Sequence, residues 1–230
     1  MNGIIEVQNL VCRYNGKFTA LDGIDLSIRN GEMLAVIGSN GSGKSTLLMA
    51  MAGLVKPHSG HVIFNGKMLT EKTLHDPFFV REFRSRVGFV FQDPDAQLFC
   101  PTVRDELLFG PLQLGLTDTV MQERISEVSR MLNIESLLNR PPYMLSGGEK
   151  KRVAIGSVLV TNPDVLLLDE PTGGLDPKTQ AFLMELVFAL TDAGKTIIIT
   201  THDLSLVEDL EPRVAVLSEE HALVKTGTAA

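Results

Sequence analysis

The stretch "MLAVIGSNGSGKSTLLMAMAGL", residues 33 to 54, decides the fold. It opens on an apolar run, passes through a glycine-rich loop and continues as a helix-like apolar segment. Its centre is Gly38, Ser39, Asn40, Gly41, Ser42, Gly43, Lys44, Ser45 and Thr46, which satisfies G-x-x-x-x-G-K-[ST]. Glycines let the backbone wrap a phosphate, and the N-terminus of the following helix adds the positive end of its dipole. Lys44 is placed to reach the β- and γ-phosphates of ATP, Ser45 to bind Mg²⁺, and Thr46 to add a contact near the α-phosphate. Strand, loop and helix in this order predict an α/β nucleotide-binding core.

Outward from this stretch, strand-like runs recur: "IIEVQNL" (4 to 10), "IDLSI" (24 to 28), "HVIF" (61 to 64), "VGFVF" (87 to 91), "VLLLD" (165 to 169), "TIIIT" (196 to 200) and "RVAVL" (213 to 217). Several are apolar without alternation, the pattern of strands covered on both faces. Between 102 and 160 helical patterns such as "TDTVMQERISEVSRMLNI" take over, which predicts a helical insertion in the α/β core.

The run "VLLLDEPT" ends a buried strand in Asp169, a carboxylate at the sheet's carboxyl edge where Mg²⁺ needs one. Glu170 follows at once and is placed to act as general base on an attacking water. An isolated Asp-Glu pair is more often a solvated surface charge. Four apolar residues before this one and Pro171 after it favour the site.

The segment "MLSGGEKKRVAIG", residues 144 to 156, admits two readings. Gly147 and Gly148 can take positive φ and form an anion nest, with Lys150, Lys151 and Arg152 behind it. Alternatively, Ser146 is simply a helix cap.

Composition narrows the function. The 230 residues suffice for one large domain, with or without a subdomain, and the net charge of −7 argues against a nucleic-acid binder. No apolar run approaches the ~20 residues needed to span a bilayer. "MNGIIEVQNL" lacks the basic and apolar regions of a signal peptide, so a cytoplasmic location is expected. Cys12 and Cys100 have no metal-type spacing and are expected to be free thiols.

"GSNGSGKST", "LSGGEKKR", "LLLDEPT" and "ITTHD", in this order, resemble an ATP-binding-cassette (ABC) ATPase over nearly the whole chain. The resemblance implies one domain over residues 1–230: a phosphate-loop core with a mixed sheet, an antiparallel β subdomain, and a helical subdomain over about 93–160. In this family two cassettes pair head to tail, and the "LSGG" of one closes over the γ-phosphate held by the other. Leu145, Ser146, Gly147, Gly148 and Glu149 would then serve the partner's site. By the same resemblance Tyr14 stacks on adenine, although a tyrosine in such a segment can also pack under the sheet. Gln92 touches Mg²⁺ and water and relays nucleotide state. His202 contacts the γ-phosphate and orients the catalytic site, and Asp176 crosses the dimer interface. Gly173 stands where relatives often carry Ser or Ala, a small departure.

Residues 92 to 116, "QDPDAQLFCPTVRDELLFGPLQLGL", are similar to the ATPases of energy-coupling-factor importers and their cobalt- and nickel-type relatives. That implies a transmembrane partner, peripheral attachment to the cytoplasmic face of the membrane, and a vitamin or transition-metal cargo. It also singles out Leu98 and Phe99 as a docking pair. Many relatives continue into a further C-terminal region beyond the point where this sequence ends, at Ala230. The competing function is a soluble ABC ATPase acting on nucleic acid or ribosomes, a class marked by a coiled-coil insertion or two fused cassettes. Neither feature is in this sequence, and the charge is wrong for it.

Overall fold

Strands built mostly of buried apolar residues form the centre of the computed structural model, which describes residues 3–228. Strand β3 (Met33–Ile37) carries the phosphate loop, and β7 (Val165–Asp169) and β8 (Thr196–Thr201) are buried along their whole length. Such strands need cover on both faces, which helices supply in a parallel sheet. With β6 (Val87–Val90), β9 (Arg213–Leu217) and β10 (Leu223–Thr228) they make a six-stranded sheet in the order β10-β9-β3-β8-β7-β6. All neighbours are parallel except β9 and β10, so the sheet is mixed, as expected.

A second, antiparallel sheet has the order β2-β1-β4-β5, from β1 (Ile5–Tyr14), β2 (Phe18–Ile28), β4 (Ser59–Phe64) and β5 (Lys67–Met68). It packs with α1 (Lys44–Met51) and the β3 side of the main sheet in one apolar core. A second core lies under the helical elements. Between β6 and β7 every regular element is helical, with α4 (Val103–Gln113), α5 (Asp118–Met131) and α6 (Gly147–Leu159) as the main ones. Helices α2 (Glu71–Leu74) and α3 (Pro77–Arg86) precede β6; α7 (Pro177–Asp192) and α8 (Leu204–Leu210) flank β8.

Differences from the expected strands are local. β1 runs to Tyr14 and β2 begins at Phe18, because bulges near Asn9, which has φ 44°, let both strands continue past polar residues. β5 and β10 carry no apolar run and exist as edge strands paired to a stronger neighbour. The expected span of 1–230 includes residues 1, 2, 229 and 230, which lie outside the described residues. Among the described residues, no helix is long and apolar enough to cross a membrane.

Candidate functional site

Parallel register gathers the site at one edge of the main sheet. Val36 pairs with Thr200, and Thr200 pairs with Asp169, so the carboxyl ends of β3, β8 and β7 stand side by side. The loop after β3 turns at Gly43, whose φ is 105° and where a Cβ would come within 2.2 Å of the Ala20 carbonyl oxygen. Only glycine fits there. Helix α1 then starts at Lys44, whose buried Nζ donates to the carbonyls of Gly38 (3.0 Å) and Ser39 (3.2 Å). The same Nζ lies 3.4 Å from Glu170 Oε1.

Glu170 is the strained member of the group. Its φ of 43° is unusual for a residue with a side chain and costs of order 1–2 kcal/mol. Its backbone N–H donates to the Thr200 hydroxyl (2.9 Å) and backbone carbonyl (3.2 Å), which hold the turn. The other carboxylate oxygen, Oε2, accepts from His202 Nδ1 at 2.8 Å. With a carboxylate as its partner, Nδ1 acts as the donor, and Nε2 is the ring's remaining polar atom. Asp169 Oδ1 accepts from the Ser45 hydroxyl (3.0 Å) and the Thr200 hydroxyl (2.6 Å). A hydroxyl and a carboxylate side by side, with Gln92 on the same pocket wall, are the hard oxygen donors that suit Mg²⁺, which takes few protein ligands.

These groups open on a pocket of about 620 Å³ whose walls include Tyr14, Thr46, Gln92, Glu170 and His202. The Tyr14 ring is 42% exposed and its hydroxyl is 3.2 Å from Thr46 Oγ1, so the ring stands at the pocket mouth and does not pack under the sheet. Phe18, Thr200 and His221 also belong here and were not foreseen. Thr200 lies within the quoted "ITTHD", but its role depends on the β7–β8 register. His221 comes from the β9–β10 turn, where its Nδ1 lies 3.4 Å from the Ser42 carbonyl oxygen.

None of Leu145, Ser146, Gly147, Gly148 or Glu149 lines this pocket. Leu145 is buried; Ser146 caps α6, accepting the Glu149 N–H, while the Glu149 carboxylate accepts the Ser146 N–H at 2.8 Å. That N–H holds the Glu149 carboxyl below its usual pKa. The anion-nest geometry is corrected: neither Gly147 nor Gly148 has positive φ, and both lie in the first turn of the helix. Their N–H groups point out along the helix axis instead. A side chain on Gly147 would meet nothing within 4 Å, whereas one on Gly148 would press on Thr179 at 3.1 Å.

The basic group behind the glycines is also corrected. Lys150 pairs with Asp95 at 2.6 Å, and Lys151 points inward, so the three charges do not form one surface. Asp176 caps α7, accepting from the Thr179 hydroxyl (2.6 Å) and the N–H groups of Lys178 and Thr179; these bonds hold its carboxyl below the usual range. Gly173 has no positive φ, and its N–H donates to the Glu170 carbonyl (3.2 Å) in the turn after β7. Leu98 is corrected as well: at 9% exposure it belongs to the core, while Phe99 is 68% exposed and stacks edge to face on Phe109. Both cysteines are free thiols.

Comparison with known proteins follows the same lines. The family model described as "ABC transporter" matches residues 21–173. The chain is 46% identical over 220 residues to the nickel import ATP-binding protein NikO of Rhodobacter capsulatus, covering 94% of this chain and 86% of the relative. It is 42% identical over 225 residues to the energy-coupling factor transporter ATP-binding protein EcfA of Methanocaldococcus jannaschii, covering 98% and 79%. Among solved structures, cbiO1 of Clostridium perfringens, described as part of the ABC transporter complex cbiONQ, superposes with a TM-score of 0.83 at 38% identity, covering 99% of this chain and 89% of that one.

Proposed function

The chain belongs to the ABC transporter family and is an ATPase, and from that premise we propose that it drives an energy-coupling-factor importer carrying a vitamin or a transition-metal ion such as cobalt or nickel. What carries the catalytic part is the Glu170 carboxylate, held between Lys44 and His202 at the end of β7. The importer part is supported by the likeness to EcfA and NikO.

ATP is bound with adenine on Tyr14 and phosphates along Gly38–Thr46. Lys44, which has three N–H donors, exchanges acceptors with the incoming phosphates. Mg²⁺ arriving with ATP would be held by Ser45, Gln92 and Asp169 and would neutralise charge between the β- and γ-phosphates. Water attacks the γ-phosphorus in line, its proton passes to Glu170, and the bond from phosphorus to the ADP oxygen breaks. His202, bonded to Glu170, keeps that carboxylate aimed and presents its other ring nitrogen to the transferred group.

The second half of each site comes from a second cassette, identical or paralogous, whose Ser146, Gly147 and Gly148 present the first turn of α6 to the γ-phosphate. Asp176 lies at the seam. The helical segment of about 93–160 moves as a subdomain and presents Phe99 and Phe109 to a transmembrane subunit. In this reading the protein works at the cytoplasmic face of the membrane, attached through its partner and not to nucleic acid.

The experiment is purification of the chain from membranes with identification of whatever accompanies it, followed by uptake assays. An integral membrane subunit and ATP-dependent uptake of a metal ion or vitamin are expected. Recovery with ribosomes or nucleic acid instead would overturn the importer assignment.

A further inference from the structure

Lys151 is 1% exposed, and among the described residues no carboxylate forms an ion pair with it. A cation removed from water at this cost needs strong partners. It has two: Nζ donates to the backbone carbonyls of Gln92 at 2.8 Å and Phe91 at 3.2 Å. Burial lowers its pKa to about 8, while the fields of Asp169, Asp93 and Glu170 act to keep it charged.

The segment after β6 is tied to α6 elsewhere too. Gln97 accepts the Phe91 N–H and donates to the Ala154 carbonyl at 2.7 Å, and Lys150 holds Asp95. Those ties hold Phe91 from its N–H side and the segment further along, at Asp95 and Gln97. Lys151 alone holds the peptide of Gln92 itself, from a helical position about 7 Å along the axis from the Ser146 cap.

We propose that Lys151 is a positioning residue that fixes the Gln92 backbone to α6, so that the Gln92 side chain and the Ser146–Gly148 turn move as one body. It does not line the pocket and acts only through Gln92, so the proposal rests on Gln92 serving the site. A charge-assisted pair of hydrogen bonds is short and directional enough for that task. Release of the Gln92 peptide lets its side chain drift, and a displacement of about 1 Å in a positioning group can cost on the order of a hundredfold in rate.

The test is a double-mutant cycle on the assembled, membrane-bound protein, with Lys151→Met and Gln92→Ala separately and together. Methionine keeps the buried aliphatic volume and removes the donors. The expected result is a kcat at least tenfold lower for Lys151→Met, ATP affinity within about twofold of wild type, and no further loss when it is added to Gln92→Ala. Lys151→Gln, which keeps an amide donor, should restore part of the rate, and it replaces the Met variant in the cycle if that one does not fold. Equal losses in both backgrounds, or a loss of ATP binding parallel to kcat, would overturn the proposal. If Gln92→Ala alone leaves turnover unchanged, the role of Gln92 itself falls and the proposal with it.

Discussion

At the scale of single residues, the proposed mechanism turns on Glu170. Glu170→Gln keeps the volume and the bond to His202 but removes the proton acceptor, so ATP should still bind while turnover falls by on the order of a hundredfold or more. Rapid-quench measurement of phosphate release beside equilibrium nucleotide binding checks this, and near-normal release would remove Glu170 from the base role. Cys12 makes a pH prediction. Its thiol is buried and pushed up to about 11 from an ordinary 9.0. Because the folded state holds this proton more tightly than the unfolded one, the contribution to stability is whole below pH 9 and is lost as pH rises towards 11. Alkylation of Cys12 at pH 8 should therefore be slow in the native protein and fast in urea; equal rates would show that the thiol is reachable.

At the scale of elements, the close approach of β6 to α6 decides how firmly the site edge is held. A Cβ on Gly88 would fall 2.2 Å from Val158 Cγ1 and 3.2 Å from Pro163 Cγ. Valine is stiff about χ1 and proline is fixed, so neither gives way easily. Gly88→Ala should cost about 1–3 kcal/mol and lower Tm by several degrees, with ATP binding kept in the cold; an unchanged Tm would mean that α6 shifts freely on the sheet. Elements also show what the sequence made legible. The phosphate loop could be read directly because strand, loop and helix are contiguous. Thr200 and His221 could not, since each reaches the site through strand pairing with residues far away in sequence. Lys150, Lys151 and Arg152 read as one basic patch because charge is local information, whereas the inward turn of Lys151 depends on which side of α6 meets β6. Leu98 and Phe99 looked alike for the same reason: adjacent apolar residues give no sign of which one faces the core.

At the scale of the whole molecule, the proposed function assigns Ser146, which does not line the pocket, to the site of a second copy or paralogue. Lys44→Ala and Ser146→Arg should each abolish turnover alone. Mixed in a self-pairing protein, they should restore up to about one quarter of the wild-type sites, the fraction that random pairing leaves intact in mixed dimers. No recovery, with mixed dimers demonstrated, would assign Ser146 to its own chain. The strand order has a further consequence, for synthesis. β3 is flanked by β8 and β9, so the strand that carries the phosphate loop has no neighbour until residues 196–217 have been made. At about 5–20 residues per second, the loop waits on the order of ten to thirty seconds after it leaves the ribosome's active centre. The antiparallel sheet of β1, β2 and β4 can form in that interval, because all its strands lie before residue 65. ATP therefore stabilises the finished chain and gives no help to the growing one.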